Sequence, residues 1–119
     1  GQIWEAAMYA GAHGLDNITL IVDYNKKQLD DMVHKILPMD PLGGKFGAMN
    51  WNVMEIDGHN MPLVVDTLEE SRKVKGRPTC VVAHTITGKG VSFMENDPKW
   101  HGVAPTKEEC AKALAEIGA

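Results

Sequence analysis

Polar residues follow each of the three segments that most resemble buried β-strands. The first group is Asp23–Asn25, the second is Asp57–His59, and the third is His84–Gly90. Ligands of parallel α/β sheets bind beyond the carboxyl ends of the strands, so we expect these groups at one binding edge. The amide oxygen of Asn25 suits a hard cation, but asparagine also caps turns that follow strands. Both uses of Asn25 stay open at this level.

The elements that must position these residues are strands that alternate with helices. The run Ile18–Val22 is mostly apolar and rich in β-branched residues, which predicts a strand covered on both faces. Further strands are predicted at Trp51–Ile56 and Thr79–Thr85. Apolar spacing and capping signals predict helices over Gln2–His13, Pro41–Asn50, Met61–Lys75 and Ala111–Ile117. This order predicts an α/β fold, with a parallel β-sheet flanked by helices.

Several element boundaries have a local explanation. Gly14 can adopt the left-handed conformation that ends a helix, and Asn60 is a good N-cap. Thr106 and Glu109 have the spacing of a capping box. The segment Lys26–Lys35 is predicted to be a polar loop.

Composition excludes several classes of protein. The 119 residues suit one domain, and a net charge of −4 with scattered lysines gives no footprint for nucleic acid. No apolar run approaches the roughly 20 residues that span a bilayer, so no membrane partner is expected.

Cys80 lies in an apolar run and Cys110 on a predicted helix. They do not form a secreted disulfide framework, although a single bond between them stays open, and a cytoplasmic location is expected.

Several motifs together resemble the transketolase family, in its thiamine diphosphate-binding domain. They read G-Q-I-W-E-A-A, I-V-D-Y-N-K-K-Q-L-D, E-I-D-G-H, T-I-T-G-K-G-V-S-F-M-E-N and K-W-H-G-V-A-P. No single motif is specific, but together they follow the order of the family along nearly the whole chain. The resemblance implies a thiamine diphosphate-binding fold built on a parallel sheet.

The resemblance also implies which residues bind the cofactor and its metal. Asn25 resembles the residue whose side-chain oxygen binds Mg²⁺ or Ca²⁺ at the diphosphate, and the backbone carbonyl of Lys27 resembles the next ligand. Leu29 resembles the aliphatic residue that packs against the cofactor rings. Gly88, in the T-I-T-G-K-G segment, belongs to the implied cofactor-binding residues. Without the resemblance to this family, we would interpret Asn25 as a turn cap and Leu29 as a loop residue packed on the core.

Two further residues acquire catalytic roles from the resemblance. His101, in W-H-G, resembles the histidine that reaches the cofactor and the reacting oxygens of the substrate, where a proton must move near neutral pH. Glu5 resembles a glutamate in a chain of carboxylates that links two active sites across a dimer interface. A structural loop histidine and an exposed helix glutamate are the ordinary alternatives.

The implied activity is that of a transketolase. Such a transferase moves a two-carbon ketol unit from a ketose phosphate to an aldose phosphate, in the pentose phosphate pathway, and uses thiamine diphosphate with magnesium or calcium. Its implied partners are sugar-phosphate substrates, a complementary C-terminal half and a second copy in a homodimer.

One departure from the family limits what this chain is expected to do alone. The family's cofactor motif opens with G-D-G, upstream of the matching asparagine, and this sequence begins after it. We therefore expect residues 1–119 to form a partial cofactor-binding domain that is inactive by itself. Two alternatives stay open: a relative of deoxyxylulose phosphate synthase or dihydroxyacetone synthase, and a non-catalytic module that pairs with a complementary subunit. The module would need an exposed apolar patch.

Overall fold

A computed structural model describes residues 1–29 and 31–118 and divides the chain into two compact units. The first unit comprises Gly1–Tyr24 and Met39–His84, and the second comprises Asn25–Pro38 and Thr85–Ala119. The helices are α1 (Gln2–Ala12), α2 (Val33–Ile36), α3 (Leu42–Ala48), α4 (Met61–Ser71) and α5 (Lys107–Ile117). The strands are β1 (Thr19–Tyr24), β2 (Lys27–Gln28), β3 (Asp31–Met32), β4 (Asn52–Asp57) and β5 (Thr79–His84).

The first unit is built on a parallel sheet of three strands in the order β1-β5-β4. This confirms the α/β fold and the parallel sheet flanked by helices. The register pairs Tyr24 with His84 and His84 with Asp57, so the carboxyl ends of the three strands are level. The candidate residue Asn25 directly follows one of these ends.

The expectation that the first strand is covered on both faces is wrong for β1. Its residues alternate in burial, and Ile21 is 55% exposed. The physical reason is that β1 lies at one edge of the sheet, whereas α4, the helix on the face of Ile21, packs against β4 at the other edge. The strand buried along nearly its whole length is the central β5, where Cys80, Val81 and Val82 are each at most 2% exposed.

An aromatic group packs the core on the face of the sheet that α1 and α3 cover. Phe46 lies between Trp4 and Trp51, at ring centroid distances of 5.3 and 5.6 Å. The indole nitrogen of Trp51 donates a hydrogen bond of 2.8 Å to the carbonyl oxygen of Ala7, which ties the residue just before β4 to α1. Gly11 is required here, because a Cβ at that position would lie 1.8 Å from the carbonyl oxygen of Met49.

The helix α4 packs on the opposite face and confirms its predicted cap. The side chain of Asn60 accepts a hydrogen bond of 3.1 Å from the backbone N–H of Leu63. Thr67 and Ser71 are buried on this helix. The helix ends at Ser71, four residues earlier than the predicted Lys75, and the chain turns there toward β5.

The second unit contains a feature that the sequence did not reveal. Where a polar loop was predicted over Lys26–Lys35, β2 and β3 form a short antiparallel pair and α2 follows. The predicted capping box is confirmed: Thr106 and Glu109 exchange both hydrogen bonds, at 2.8 and 3.2 Å. The Ser92 hydroxyl donates to Glu116 on α5 at 2.9 Å, which fastens the segment that follows Gly88 to this helix.

Both cysteines are free thiols, with Cys80 buried and Cys110 exposed. This settles the question of a disulfide between them. Among the residues described, no helix has the length and apolar character that crossing a membrane requires.

Candidate functional site

Asn25 occupies the first position after β1, and its side chain is half-buried. Its Oδ1 atom accepts a hydrogen bond of 2.9 Å from the backbone N–H of Lys27. The turn-capping use of the residue is therefore present in the structure. An amide oxygen has two lone pairs, so this bond leaves one acceptor position for another partner. Capping and metal binding are compatible for this side chain.

The turn that carries Asn25 is fastened at several points within the second unit. Lys26 has a φ of +60°, and its carbonyl oxygen accepts a hydrogen bond of 2.9 Å from the N–H of Val33. The ammonium group of Lys27 donates to the carbonyl oxygen of Asn96. These contacts fix the path of the backbone between Asn25 and Lys27. The oxygen donors of both residues thus belong to a defined turn.

Gly88 lies in a turn that only glycine can form without strain. Its φ is +71°, and a Cβ at this position would lie 2.7 Å from the carbonyl oxygen of Met94. The N–H of Val91 donates to the carbonyl oxygen of Gly88 at 3.1 Å, which closes the turn. Backbone of this kind can approach a diphosphate closely, because no side chain stands between them. Lys89 pairs with Glu95 at 3.4 Å, as an ordinary loop lysine does.

Leu29 and His101 present their side chains to solvent. Leu29 is 65% exposed and has a φ of +41°. His101 ends a 3-10 helix, Pro98–His101, whose first turn is capped by Asp97 through a hydrogen bond of 3.0 Å from Lys99 N–H. The adjacent Trp100 donates its indole N–H to the carbonyl oxygen of Phe93 at 3.0 Å. The backbone beside His101 is therefore anchored while its imidazole is exposed.

The six candidate residues divide between the two units. Asn25, Lys27, Leu29, Gly88 and His101 lie in the second unit, whereas Glu5 lies in the first. Glu5 is exposed in the first turn of α1. Burial of its carboxylate at an interface would need the surface of another chain or segment.

The oxygen donors at Asn25 and Lys27 fit part of the shell of a divalent cation. Mg²⁺ and Ca²⁺ prefer oxygen ligands, and an amide oxygen and a backbone carbonyl are both suitable. Neither donor carries a charge. Among residues 1–29 and 31–118, no cluster of three or more histidine, cysteine, aspartate or glutamate side chains could hold a metal. The residues present would therefore supply neutral ligands, with the charge supplied by phosphate oxygens and by ligands from elsewhere.

A polar cluster at the carboxyl end of the sheet was not found from the sequence. The hydroxyl of Tyr24 donates to Asp40 Oδ1 at 2.7 Å, and its ring lies edge-on to His84 at 5.5 Å. His84 Nε2 lies 3.0 Å from Glu55 Oε2. Burial, the bond to Asp40 and the charges of Asp40 and Glu55 raise the pKa of Tyr24 to about 12. The D-Y-N sequence places Tyr24 beside Asn25, but nothing local pairs it with Asp40.

Comparison with protein families gives a match along the entire chain. Residues 1–119 match the family model described as transketolase, thiamine diphosphate binding domain. The 6-deoxy-6-sulfo-D-fructose transketolase subunit SqwG of Clostridium sp. (strain MSTE9) is 42% identical over 117 residues, which cover 98% of this chain and 42% of that protein. An apulose-4-phosphate transketolase subunit of Actinobacillus succinogenes is 43% identical over the same proportions. This chain thus spans about two-fifths of the length of these relatives.

Solved structures agree with this result. The transketolase of Campylobacter jejuni superposes with a TM-score of 0.88 at 30% identity, and the match covers 97% of this chain and 18% of that one. The transketolase of Leishmania mexicana gives a TM-score of 0.86 at 27% identity, over 96% of this chain and 17% of that one.

Proposed function

Since this chain belongs to the transketolase family, in its thiamine diphosphate-binding domain, we propose that it forms part of an enzyme that transfers a two-carbon ketol unit from a ketose phosphate to an aldose phosphate. The family match over residues 1–119 is the observation that carries the proposal. The placement of Asn25 at the carboxyl end of β1, where parallel sheets bind ligands, supports it. By "complete protein" we mean this chain together with the remaining length of its relatives, in one polypeptide or two.

Each candidate residue has a task in this proposal. Asn25 Oδ1 and the carbonyl oxygen of Lys27 hold Mg²⁺ or Ca²⁺, while the backbone at Gly88 lies against the diphosphate. Leu29 supplies apolar contact to the rings of the cofactor. Thiamine diphosphate, when bound, supplies the carbon centre that carries the ketol unit between donor and acceptor.

His101 orients the reacting oxygens of the sugar and moves a proton to or from them. Imidazole suits this task because it gains and loses a proton near neutral pH. The exposure of His101 on an anchored 3-10 helix leaves its ring accessible to a substrate. Glu5 belongs to a relay of carboxylates in a homodimer, where neighbouring negative charges favour the sharing of protons.

A complementary half of the enzyme completes the proposed assembly. Two relatives of this chain are themselves named as transketolase subunits. In the first unit, a groove of about 210 Å³ opens between α1 and the edge strand β1. It is lined by Ile3, Ala6, Ala7, Ala10, Ile18, Thr19, Leu20 and Trp51. An apolar groove beside an unpaired strand edge favours packing against further protein.

An assay of the complete protein with two donors tests the proposed reaction. With xylulose phosphate as donor and ribose phosphate as acceptor, we expect ketol transfer that depends on thiamine diphosphate and a divalent metal. A relative of deoxyxylulose phosphate synthase would instead use pyruvate as donor, and a relative of dihydroxyacetone synthase would transfer the ketol unit to a one-carbon aldehyde acceptor. Absence of transfer from any ketose phosphate would contradict the proposal. The cytoplasmic location and the place in the pentose phosphate pathway stay predictions.

The isolated chain is expected to bind the cofactor poorly and to be inactive. Its two proposed donors are neutral, and the described residues contain no cluster of three or more histidine, cysteine, aspartate or glutamate side chains that could hold a metal, so we expect weak binding of Mg²⁺. Calorimetric titration of residues 1–119 with thiamine diphosphate and Mg²⁺ measures this directly. Micromolar affinity would show that the chain is sufficient for binding.

The apolar groove also supports a second candidate, a non-catalytic module that pairs with a complementary transketolase half. Size-exclusion chromatography with and without that half separates the two functions when it is combined with the donor assay. A complex that forms but shows no ketol transfer with any donor would favour the module. A complex that gains transfer activity would favour the enzyme.

A further inference from the structure

Side chains on one face of the sheet connect its three strands at or near their carboxyl ends. Tyr24 is the last residue of β1 and His84 is the last residue of β5, and their rings meet edge-on at 5.5 Å. Glu55 of β4 lies 3.0 Å from the imidazole of His84. Asp40, which precedes α3, accepts the hydroxyl of Tyr24 at 2.7 Å. All four residues belong to the first unit.

The hydrogen bond between Tyr24 and Asp40 is well placed to hold the end of β1. Tyr24 is 8% exposed, so most of its ring is removed from water and its position depends on the groups that it contacts. Hydrogen bonds to a charged acceptor are shorter and stronger than neutral ones, and 2.7 Å is typical of them. The bond spans 16 residues of sequence. Asp40 directly precedes Pro41, the N-cap residue of α3, so the bond joins the end of β1 to the start of this helix.

Asn25 follows Tyr24 directly, so the end of β1 sets the position at which its turn begins. The turn is closed by the hydrogen bond from Lys27 N–H to Asn25 Oδ1. A displacement of the Tyr24 backbone is passed to Asn25 through one planar peptide bond. We propose that Tyr24, held by Asp40 and by the ring of His84, is a positioning residue that aims the side-chain oxygen of Asn25 at the metal of the cofactor.

This inference rests on the proposed function, and it makes a prediction that depends on which metal is bound. Mg²⁺ demands near-ideal octahedral geometry, whereas Ca²⁺ accepts a flexible shell with longer bonds. A loosened Asn25 should therefore weaken cofactor binding with Mg²⁺ more than with Ca²⁺. A substitution that merely destabilised the fold would weaken binding with both metals alike.

Tyr24→Phe in the complete protein tests the inference, because it removes the hydroxyl and keeps the ring. We expect affinity for thiamine diphosphate to fall by up to about tenfold with Mg²⁺ and clearly less with Ca²⁺, since the strength of a charged hydrogen bond limits how much free energy its loss can withdraw from the preformed turn. Without cofactor, amide hydrogen exchange at Lys27 should become about tenfold faster, because the turn it closes opens more often. Tyr9→Phe is the matched control, since Tyr9 is 61% exposed on α1.

Two substitutions at Asp40 keep the test decisive if Tyr24→Phe does not fold. Asp40→Ala removes the acceptor from an exposed side chain and should reproduce both effects. Asp40→Asn keeps an oxygen acceptor without its charge, so it should change the ratio of the two affinities less than Asp40→Ala does. If the unmodified protein binds thiamine diphosphate but neither Tyr24→Phe nor Asp40→Ala changes this ratio or the exchange at Lys27, the inference is wrong and the proposed function stands. If the unmodified protein binds no cofactor with either metal, both are wrong.

Discussion

Gly88→Ala should destabilise the chain through two effects that the structure separates. An alanine at a φ of +71° adopts the left-handed region, which costs about 1–2 kcal/mol for a residue with a Cβ. Its Cβ would also lie 2.7 Å from the carbonyl oxygen and 2.8 Å from the carbonyl carbon of Met94, and overlaps of this kind cost roughly 1–3 kcal/mol. The smaller entropy of the unfolded alanine chain offsets about 0.4–1 kcal/mol of this loss. We expect the free energy of unfolding to fall by about 2 kcal/mol or more in urea titrations monitored by circular dichroism.

Gly76→Ala is the control for the backbone part of this prediction. Gly76 has a φ of +75°, and a Cβ there would meet no atom within 4 Å. The free energy of unfolding of Gly76→Ala should therefore fall only by the cost of the left-handed conformation, about 1 kcal/mol. Equal losses for the two alanine variants would show that the contact between Gly88 and Met94 does not constrain the turn, and the reasoning would be refuted.

Three further predictions follow from the fold. Thr106→Ala should cost about 1 kcal/mol of stability in urea titrations, because it opens the capping box at the start of α5; an unchanged denaturation midpoint would contradict this. Phe46→Ala should cost roughly 3–5 kcal/mol in the same measurement, since Phe46 is 2% exposed in the aromatic core, and a loss below about 1 kcal/mol would mean that the packing is wrong. Burial, followed by the charge of Glu55, raises the pKa of Cys80 from 9.0 to about 11. The folded state thus holds the thiol proton more tightly than the unfolded state does, so the contribution of Cys80 to the free energy of unfolding is complete below pH 9 and declines as the pH rises toward 11. The free energy of unfolding should therefore decline less over this range in Cys80→Ala, and identical pH profiles for the two proteins would refute the prediction.

The parts of the fold that depend on neighbouring residues could be predicted from the sequence. Asn60 and Thr106 cap their helices through bonds to residues three positions away, and this spacing is readable without a structure. The parallel sheet followed from strands that alternate with helices. In contrast, the exposure of β1 could not be predicted from its composition. It depends on the place of β1 at the edge of the sheet, and that place depends on pairing between residues far apart in sequence, such as Thr19 and Thr79.

The features missed from the sequence lack a local signal. Lys26 just before β2 and Leu29 just after it have positive φ, and neither residue is a glycine or asparagine that would have indicated a turn. Tyr24 meets Asp40 only because α3, which begins just after Asp40, packs on the face of the sheet to which Tyr24 belongs. For Asn25, residue type and position indicated both a turn cap and a metal ligand. The structure contains the capping bond, and the metal-binding role stays a prediction.

Calorimetric titration of the complete protein with thiamine diphosphate and Mg²⁺, with and without Asn25→Ala, tests the central claim most directly. The substitution removes the one side-chain oxygen that this chain is proposed to give the metal, and we expect affinity to fall about tenfold or more, equivalent to about 1.4 kcal/mol. Asn25→Asp keeps an oxygen at the same place and can still cap the turn, so it should bind with affinity close to that of the unmodified protein. If Asn25→Ala binds the cofactor as tightly as the unmodified protein does, then Asn25 only caps a turn and the metal site proposed for this chain does not exist.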